Sequence, residues 1–204
     1  MAITNGLCTL TQVKTALRIS DTTDDTPLEL AIEAASRMIE TFCDRRFYAD
    51  GTATARTFVA VDPCLVLIDD VSTTTGLVVK TDSEGSGTFA TTWAATDYQL
   101  EPLNAVRNAQ AWAYTSLRAV GSFTFPVWGE RALVQVTAKW GWPAVPKAVE
   151  QAAVYQSMLL FKSNDVPLGA TPFGEMGVLR MRSALHPTAM ALLSDYVKSS
   201  AMVG

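Results

Sequence analysis

Apolar positions recur at helical spacing near the start of this chain, alternate through its middle, and return to helical spacing towards its end. The first helical stripe is Leu10, Val13, Ala16 and Leu17. It stands behind Thr9-Leu10-Thr11-Gln12, a capping-box sequence in which Thr9 caps and Gln12 reaches back. The spacing predicts a short helix ending near Ile19. A polar, acidic linker over 20–26 leads to Thr26-Pro27-Leu28-Glu29, which reads as a second box with Pro27 at the first helical position. The next stripe is the clearest in the chain: Leu28, Ala31, Ile32, Ala35, Met38, Ile39 and Phe42. Glu33 and Arg37 stand at i,i+4 on its wet side. This helix is predicted to reach about Asp44, with Arg45 and Arg46 at the negative pole of its dipole.

From about 54 to 139 threonine, valine and aromatic residues dominate, broken by turn clusters such as Asp62-Pro63, Asp69-Asp70 and Asp82-Ser-Glu-Gly-Ser-Gly87. Strands are predicted over 56–60, 65–68, 76–80, 89–93, 98–100, 112–117 and 133–140. The last ends at Trp140-Gly141-Trp142-Pro143, where glycine permits a sharp turn and proline ends the strand. These four residues are predicted to form a structural corner leading into a third helix over 146–162. Val149, Ala152, Val154, Tyr155, Met158, Leu159, Leu160 and Phe161 cover most of that helix's circumference. A helix so apolar needs cover on several sides, from its own chain and from a neighbouring subunit. Residues 163–186 show little periodicity but are more apolar than a linker, with Phe173, Met176, Leu179 and Met181 among glycines and prolines. Pro187 then opens a last helix carrying Leu192 and Tyr196.

The order of elements defines an α+β fold: a helical frame of three to four helices with a β-rich, antiparallel, sandwich-like insertion in the middle. The expected divisions are 1–49 for the N-terminal helices, 50–140 for the β insertion, 141–162 for the third helix, and 163–204 for a docking arm with the C-terminal helix. A hydrophobic fraction of 49% over 204 residues supplies a full core and excludes a disordered chain. The net charge of −4 speaks against an electrostatic duplex-DNA binder. Three scattered cysteines suit a reduced setting such as a cytoplasm. No secretory leader is expected from the first residues, and no apolar run approaches the ~18 residues of a membrane span.

Catalytic chemistry finds no foothold. The single histidine, His186, precedes Pro187 and reads as a local helix-start residue. One histidine and cysteines 8, 43 and 64 give no zinc spacing. The 82–87 loop lacks the alternating ligands of a calcium site and reads as a hairpin turn. There is no nucleophile elbow and no phosphate-binding glycine loop. Asp69 and Asp70 read as a solvated strand end. No enzyme activity, metal or cofactor is therefore expected. Five tryptophans allow one rival reading, in which Trp93, Trp112 and Trp128 form a glycan-binding platform on the β module.

Three features together, 9–19, Thr26-Pro-Leu-Glu with Phe42-Cys-Asp-Arg-Arg-Phe47, and Val127-Trp-Gly-Glu-Arg131 with Lys139-Trp-Gly-Trp-Pro-Ala-Val-Pro-Lys-Ala-Val149, resemble the head–tail connector (adaptor, head-completion) proteins of long-tailed bacteriophages. Asp97-Tyr-Gln-Leu-Glu-Pro102 and Pro172-Phe-Gly-Glu-Met176 resemble the family's longer members, so the likeness spans 8–197. The resemblance implies a structural virion protein in the neck between head and tail, made in the host cytoplasm. It implies a ring of ~12 copies under the portal, closed by heterologous contacts. That ring would extend the DNA channel without gripping DNA and carry the stopper or tail-completion protein. On this reading Val154, Met158 and Phe161 hold subunit contacts. Phe173, Met176, Leu179, Met181, Leu192 and Tyr196 dock on the portal protein. Deleting 170–204 should then spare the fold and abolish attachment to heads.

Overall fold

Four helices and a seven-stranded antiparallel sheet form the described part of the chain, residues 3–107, 109–163 and 185–198 of a computed structural model. The chain divides into a helical unit, Met1–Arg45 with Val145–Gly204, and a β unit, Arg46–Ala144. The sheet is thus inserted between the second and third helices.

In the helical unit α1 (Leu10–Leu17) opens on the predicted capping box. Thr9 Oγ1 accepts from the Gln12 N–H at 3.2 Å, and Gln12 Oε1 accepts from the Thr9 N–H at 2.7 Å. The second helix, α2 (Asp25–Cys43), starts before the predicted box, with Asp24 as N-cap. Its first helical bond runs from Leu28 N to Asp24 O, so Pro27 falls in the first turn, where a missing N–H leaves no helical bond unmade. Asp25 sits where the helix dipole favours an anion, and Lys14 Nζ meets its carboxylate at 2.5 Å. The buried face is Leu28, Ala31, Ile32, Ala35, Ser36, Ile39 and Cys43; Phe42 is largely exposed, and Cys43 takes its expected place. Arg37 pairs with Glu40 at 3.2 Å, while Glu33 accepts from the Thr4 N–H at 2.6 Å.

The third helix, α3 (Lys147–Ser163), packs against α1, α2 and α4 (Pro187–Leu193). Polar groups fix these contacts. Gln12 Nε2 donates to Glu150 and Gln156 Oε1 accepts from the His186 N–H at 3.0 Å, while Ser36 Oγ ties α2 to the segment before α1 by accepting from the Leu7 N–H at 3.0 Å. Leu28, Ile32, Ile39 and Leu193 are fully buried around them, each contributing about 1.5–3 kcal/mol.

The β unit contains β1 (Thr54–Phe58), β2 (Ala60–Asp62), β3 (Leu65–Thr81), β4 (Thr91–Thr92), β5 (Tyr98–Glu101), β6 (Val106–Arg107), β7 (Gln110–Ala111), β8 (Tyr114–Ala119) and β9 (Val134–Trp140). Sheet order is β1-β9-β3-β8-β5, with β2 and β4 also on β3, and β6-β7 forming a separate two-stranded ribbon. The predicted strands 65–68 and 76–80 are one strand of 17 residues: register shifts absorb Asp69-Asp70 and 73–78 without ending it. Phe58 pairs with Val134, itself opposite Thr81 at one end of β3, while Ala60 pairs with Val66 near the other end. One short stretch can reach both ends only if β3 bends back, so the two halves of the sheet face a common core. Val66, Ile68, Val79, Leu117, Phe125, Val134, Val136 and Trp140 fill it. Burial alternates along β9 as a one-sided strand requires.

Candidate functional site

The most constrained place in the β unit is the corner after β9. Gly141 has φ +102°, and a Cβ there would collide with the backbone carbonyl oxygen of Tyr48 and lie 2.9 Å from its carbon. Only glycine meets both demands. The Gly141 N–H donates to Asp70 O at 2.7 Å, and Trp142 Nε1 donates to the Asp70 carboxylate at 2.9 Å. Trp142 is fully buried between Phe47, at 5.3 Å between ring centroids, and Trp112, at 4.6 Å and edge-on. Trp140 Nε1 donates to Thr54 O, and Arg56 lies over its ring at 4.6 Å while meeting Asp69 at 2.7 Å. Pro143 is exposed. Asp70 is therefore no solvated strand end: it is buried, and it is the residue through which β3 holds the corner.

The three tryptophans of the glycan reading do not form a platform. Trp93 is buried, stacked on Phe125 at 4.4 Å, with its N–H spent on Thr81 Oγ1. Trp112 is half-buried against Trp142. Trp128 alone of the three is exposed, at 48%, beside Gly85. The 82–87 segment closes on Asp82, whose carboxylate accepts from the Ser86 and Gly87 N–H groups at 3.1 and 2.7 Å. Burial opposes its charge, but these backbone donors outweigh that and lower its pKa.

On the helical unit the residues predicted for assembly part company. Val154 is buried within its own chain, at 7% exposure, leaving little surface for a neighbour. Met158 and Phe161 are half-exposed, and Tyr155, in the same stripe but outside the predicted subunit contact, is open at 43%. Tyr155, Met158, Leu159, Lys162 and His186 line an open, mostly apolar depression of about 200 Å³. Leu192 and Tyr196 are half-exposed on α4 and the short turn after it. Phe173, Met176, Leu179 and Met181 lie outside the described residues. Leu185, Ala189 and Leu193 are buried, so the region 170–204 contains part of the core. Its deletion would damage the fold, contrary to the expectation from sequence.

His186 caps α4: its Nδ1 accepts from the Thr188 N–H at 3.1 Å. Burial pushes the Cys8 thiol up to about 11 and the Cys43 thiol up to about 12, so neither is a nucleophile at neutral pH. Among the described residues no cluster of three or more His, Cys, Asp or Glu could hold a metal ion, and no helix is long and apolar enough to cross a membrane. The described surface offers apolar contact faces and a rigid corner.

Similarity to known proteins adds to this geometry. Residues 8–74 match the model of the phage gp6-like head-tail connector proteins. The whole chain also shares its fold with a chain in the neck of an empty GTA particle computed with C6 symmetry. That match has a TM-score of 0.57 and 17% identity, covering 100% of this chain and 96% of that one. A chain from the virion of a native gene transfer agent (GTA) particle matches at TM-score 0.55 and 16% identity, again covering 100% and 96%. No curated protein matches the sequence.

Proposed function

We propose that this chain is a neck adaptor of a phage or phage-like particle: copies form a ring beneath the portal protein, prolong the DNA channel and present a platform to the stopper or tail-completion protein. The connector-family match at the N-terminal helices carries this reading. The full-length likeness in fold to chains of a particle neck and virion supports it. A ring of ~12 copies needs heterologous contacts that close. On the helical unit, the half-exposed Met158 and Phe161 beside Tyr155 are the surface for one such contact, and the buried Val154 stiffens the helix beneath it. Phe173, Met176, Leu179, Met181, Leu192 and Tyr196 serve portal docking. Acidic overall balance suits a conduit that lets DNA pass without holding it.

The test is to incubate purified protein with DNA-filled heads of its own particle that lack it, and to image the portal vertex. Added ring density at that one vertex is the expected result. A folded chain that leaves intact portals bare would refute the adaptor reading.

A further inference from the structure

The outer face of the β unit carries an apolar patch that its own chain leaves open. Along β3, Val66 and Ile68 point into the core, so Leu65 and Leu67 face outward. On the neighbouring strand Ala60 is buried opposite Val66, and Val59 and Val61 flank it on the open side, Val61 at 57% exposure. A register shift between Ala60 and Asp62 interrupts pairing at Val61. The patch is therefore suited to side-chain contact and poorly suited to strand addition. Adjacent aliphatic side chains left this open on a folded surface mark a contact site.

A second apolar exposure lies across the same layer. Val66 pairs with Ala60 on one side and Leu117 on the other, so β2 and β8 flank β3 on opposite sides, with β5 beyond β8. The chain between β5 and β8 forms the β6-β7 ribbon, presenting Val106 at 60% exposure, with Leu103 at 63% just before it. Its base is fixed: the Trp112 N–H donates to Ala105 O at 2.7 Å, and Arg107 lies over the Trp112 ring at 5.4 Å. Opposite charges border the two surfaces, with Arg118 also standing near Asp62 on the acceptor side. Arg107 is the single charged residue of 103–111, and exposed Asp62 borders the patch.

We infer that the β6-β7 ribbon of one copy docks on the β2–β3 patch of the next copy in the ring, Leu103 and Val106 covering Val61 and Leu67, with Arg107 facing Asp62. A donor surface and an acceptor surface that differ, placed on opposite sides of one strand, are what a head-to-tail interface requires; a two-fold pair would need one self-complementary patch. This contact rests on the adaptor reading and gives the inserted sheet its part in the assembly.

The native thiols supply the test. Cys64 is exposed beside the patch, whereas Cys8 and Cys43 are buried. Val106→Cys protein, bound to heads, is treated with a short bis-maleimide and separated on a denaturing gel. Covalent dimers and higher multimers are expected, and they should vanish in V106C/C64S. If V106C attaches poorly, N104C, on the exposed approach to the same ribbon, takes its place. Attached protein that yields no more multimer than its C64S control overturns the inference and leaves the adaptor reading standing. Wild-type protein that does not attach at all overturns both.

Discussion

Replacing Gly141 by alanine adds one methyl group at the place where the β unit has least freedom. Two costs add. The backbone at φ +102° is a conformation an L side chain rarely adopts, and holding a residue on the left-handed side costs about 1–2 kcal/mol. The new Cβ also meets the backbone of Tyr48, which cannot rotate away as a side-chain tip could, and forced overpacking adds about 1–3 kcal/mol. The sum is about 2–5 kcal/mol. Relief by moving the corner would stretch the 2.7 Å bond from Gly141 N to Asp70 O and the 2.9 Å bond from Trp142 to the same residue, so the strain has no inexpensive exit. Gly129 is the control: its φ is +61°, but nothing lies within 4 Å of an added Cβ, so alanine there carries only the backbone cost. In a chain of this size each kcal/mol moves the melting point by about 2–4 °C. Gly141→Ala should therefore melt about 4–20 °C below wild type, and well below Gly129→Ala. Thermal unfolding followed by near-ultraviolet circular dichroism reports on the buried tryptophans at the corner. Equal melting points for the two variants would refute the claim that close approach to Tyr48 confines position 141 to glycine.

Two further outcomes follow from the helical and β units taken separately. Of the cysteines, Cys64 alone should react with a maleimide in the native protein near pH 7, since Cys8 and Cys43 are buried and burial raises both thiols; mass spectrometry should find one adduct natively and three in denaturant. Lys147 and Gln12 bond to Glu150 and lower its pKa, so its contribution to stability is present above the ordinary carboxylate range and is lost as pH falls through the lowered value. E150Q should flatten that part of the acid limb of the stability profile, and an unchanged limb would count against the α1–α3 link.

What could be read from the sequence was what local rules decide. The Thr9 box, the α2 stripe and the β9 alternation each depend on residues close in the chain, and each is present; the glycine corner is also present, though Tyr48 and Asp70, which confine it, lie far away in the chain. Non-local pairing decided the rest. Asp69-Asp70 carries a turn signature, but β8 and β9 pair along β3 on either side of it and hold the strand extended. Asp70 looked solvated because its partner, Trp142, lies far along the chain. The β6-β7 ribbon leaves no sequence signal, since Leu103-Asn-Ala-Val-Arg107 has neither alternation nor a strong turn dipeptide. At α3 the stripe was visible, but whether Val154 or Tyr155 faces outward depends on α2 and α4, which periodicity alone cannot orient.

The same packing changes how the docking assignment must be tested. Truncation at 170 removes Leu185, Ala189 and Leu193, which are buried in the helical unit. The two leucines alone contribute about 3–6 kcal/mol. A domain's whole stability is about 5–15 kcal/mol, so unfolding alone would account for a truncated chain that fails to attach. Substitution separates the effects. Phe173→Ser with Met176→Ser alters two apolar residues of the proposed arm and leaves Leu185 to Leu193 untouched. The double variant should keep the wild-type far-ultraviolet spectrum and melting point, yet lose at least tenfold in co-sedimentation with heads that lack the protein, about 1.4 kcal/mol of binding free energy. Wild-type co-sedimentation with an unchanged melt would remove residues 173–176 from the portal contact. The half-exposed Leu192 and Tyr196 would then be the surface to change next.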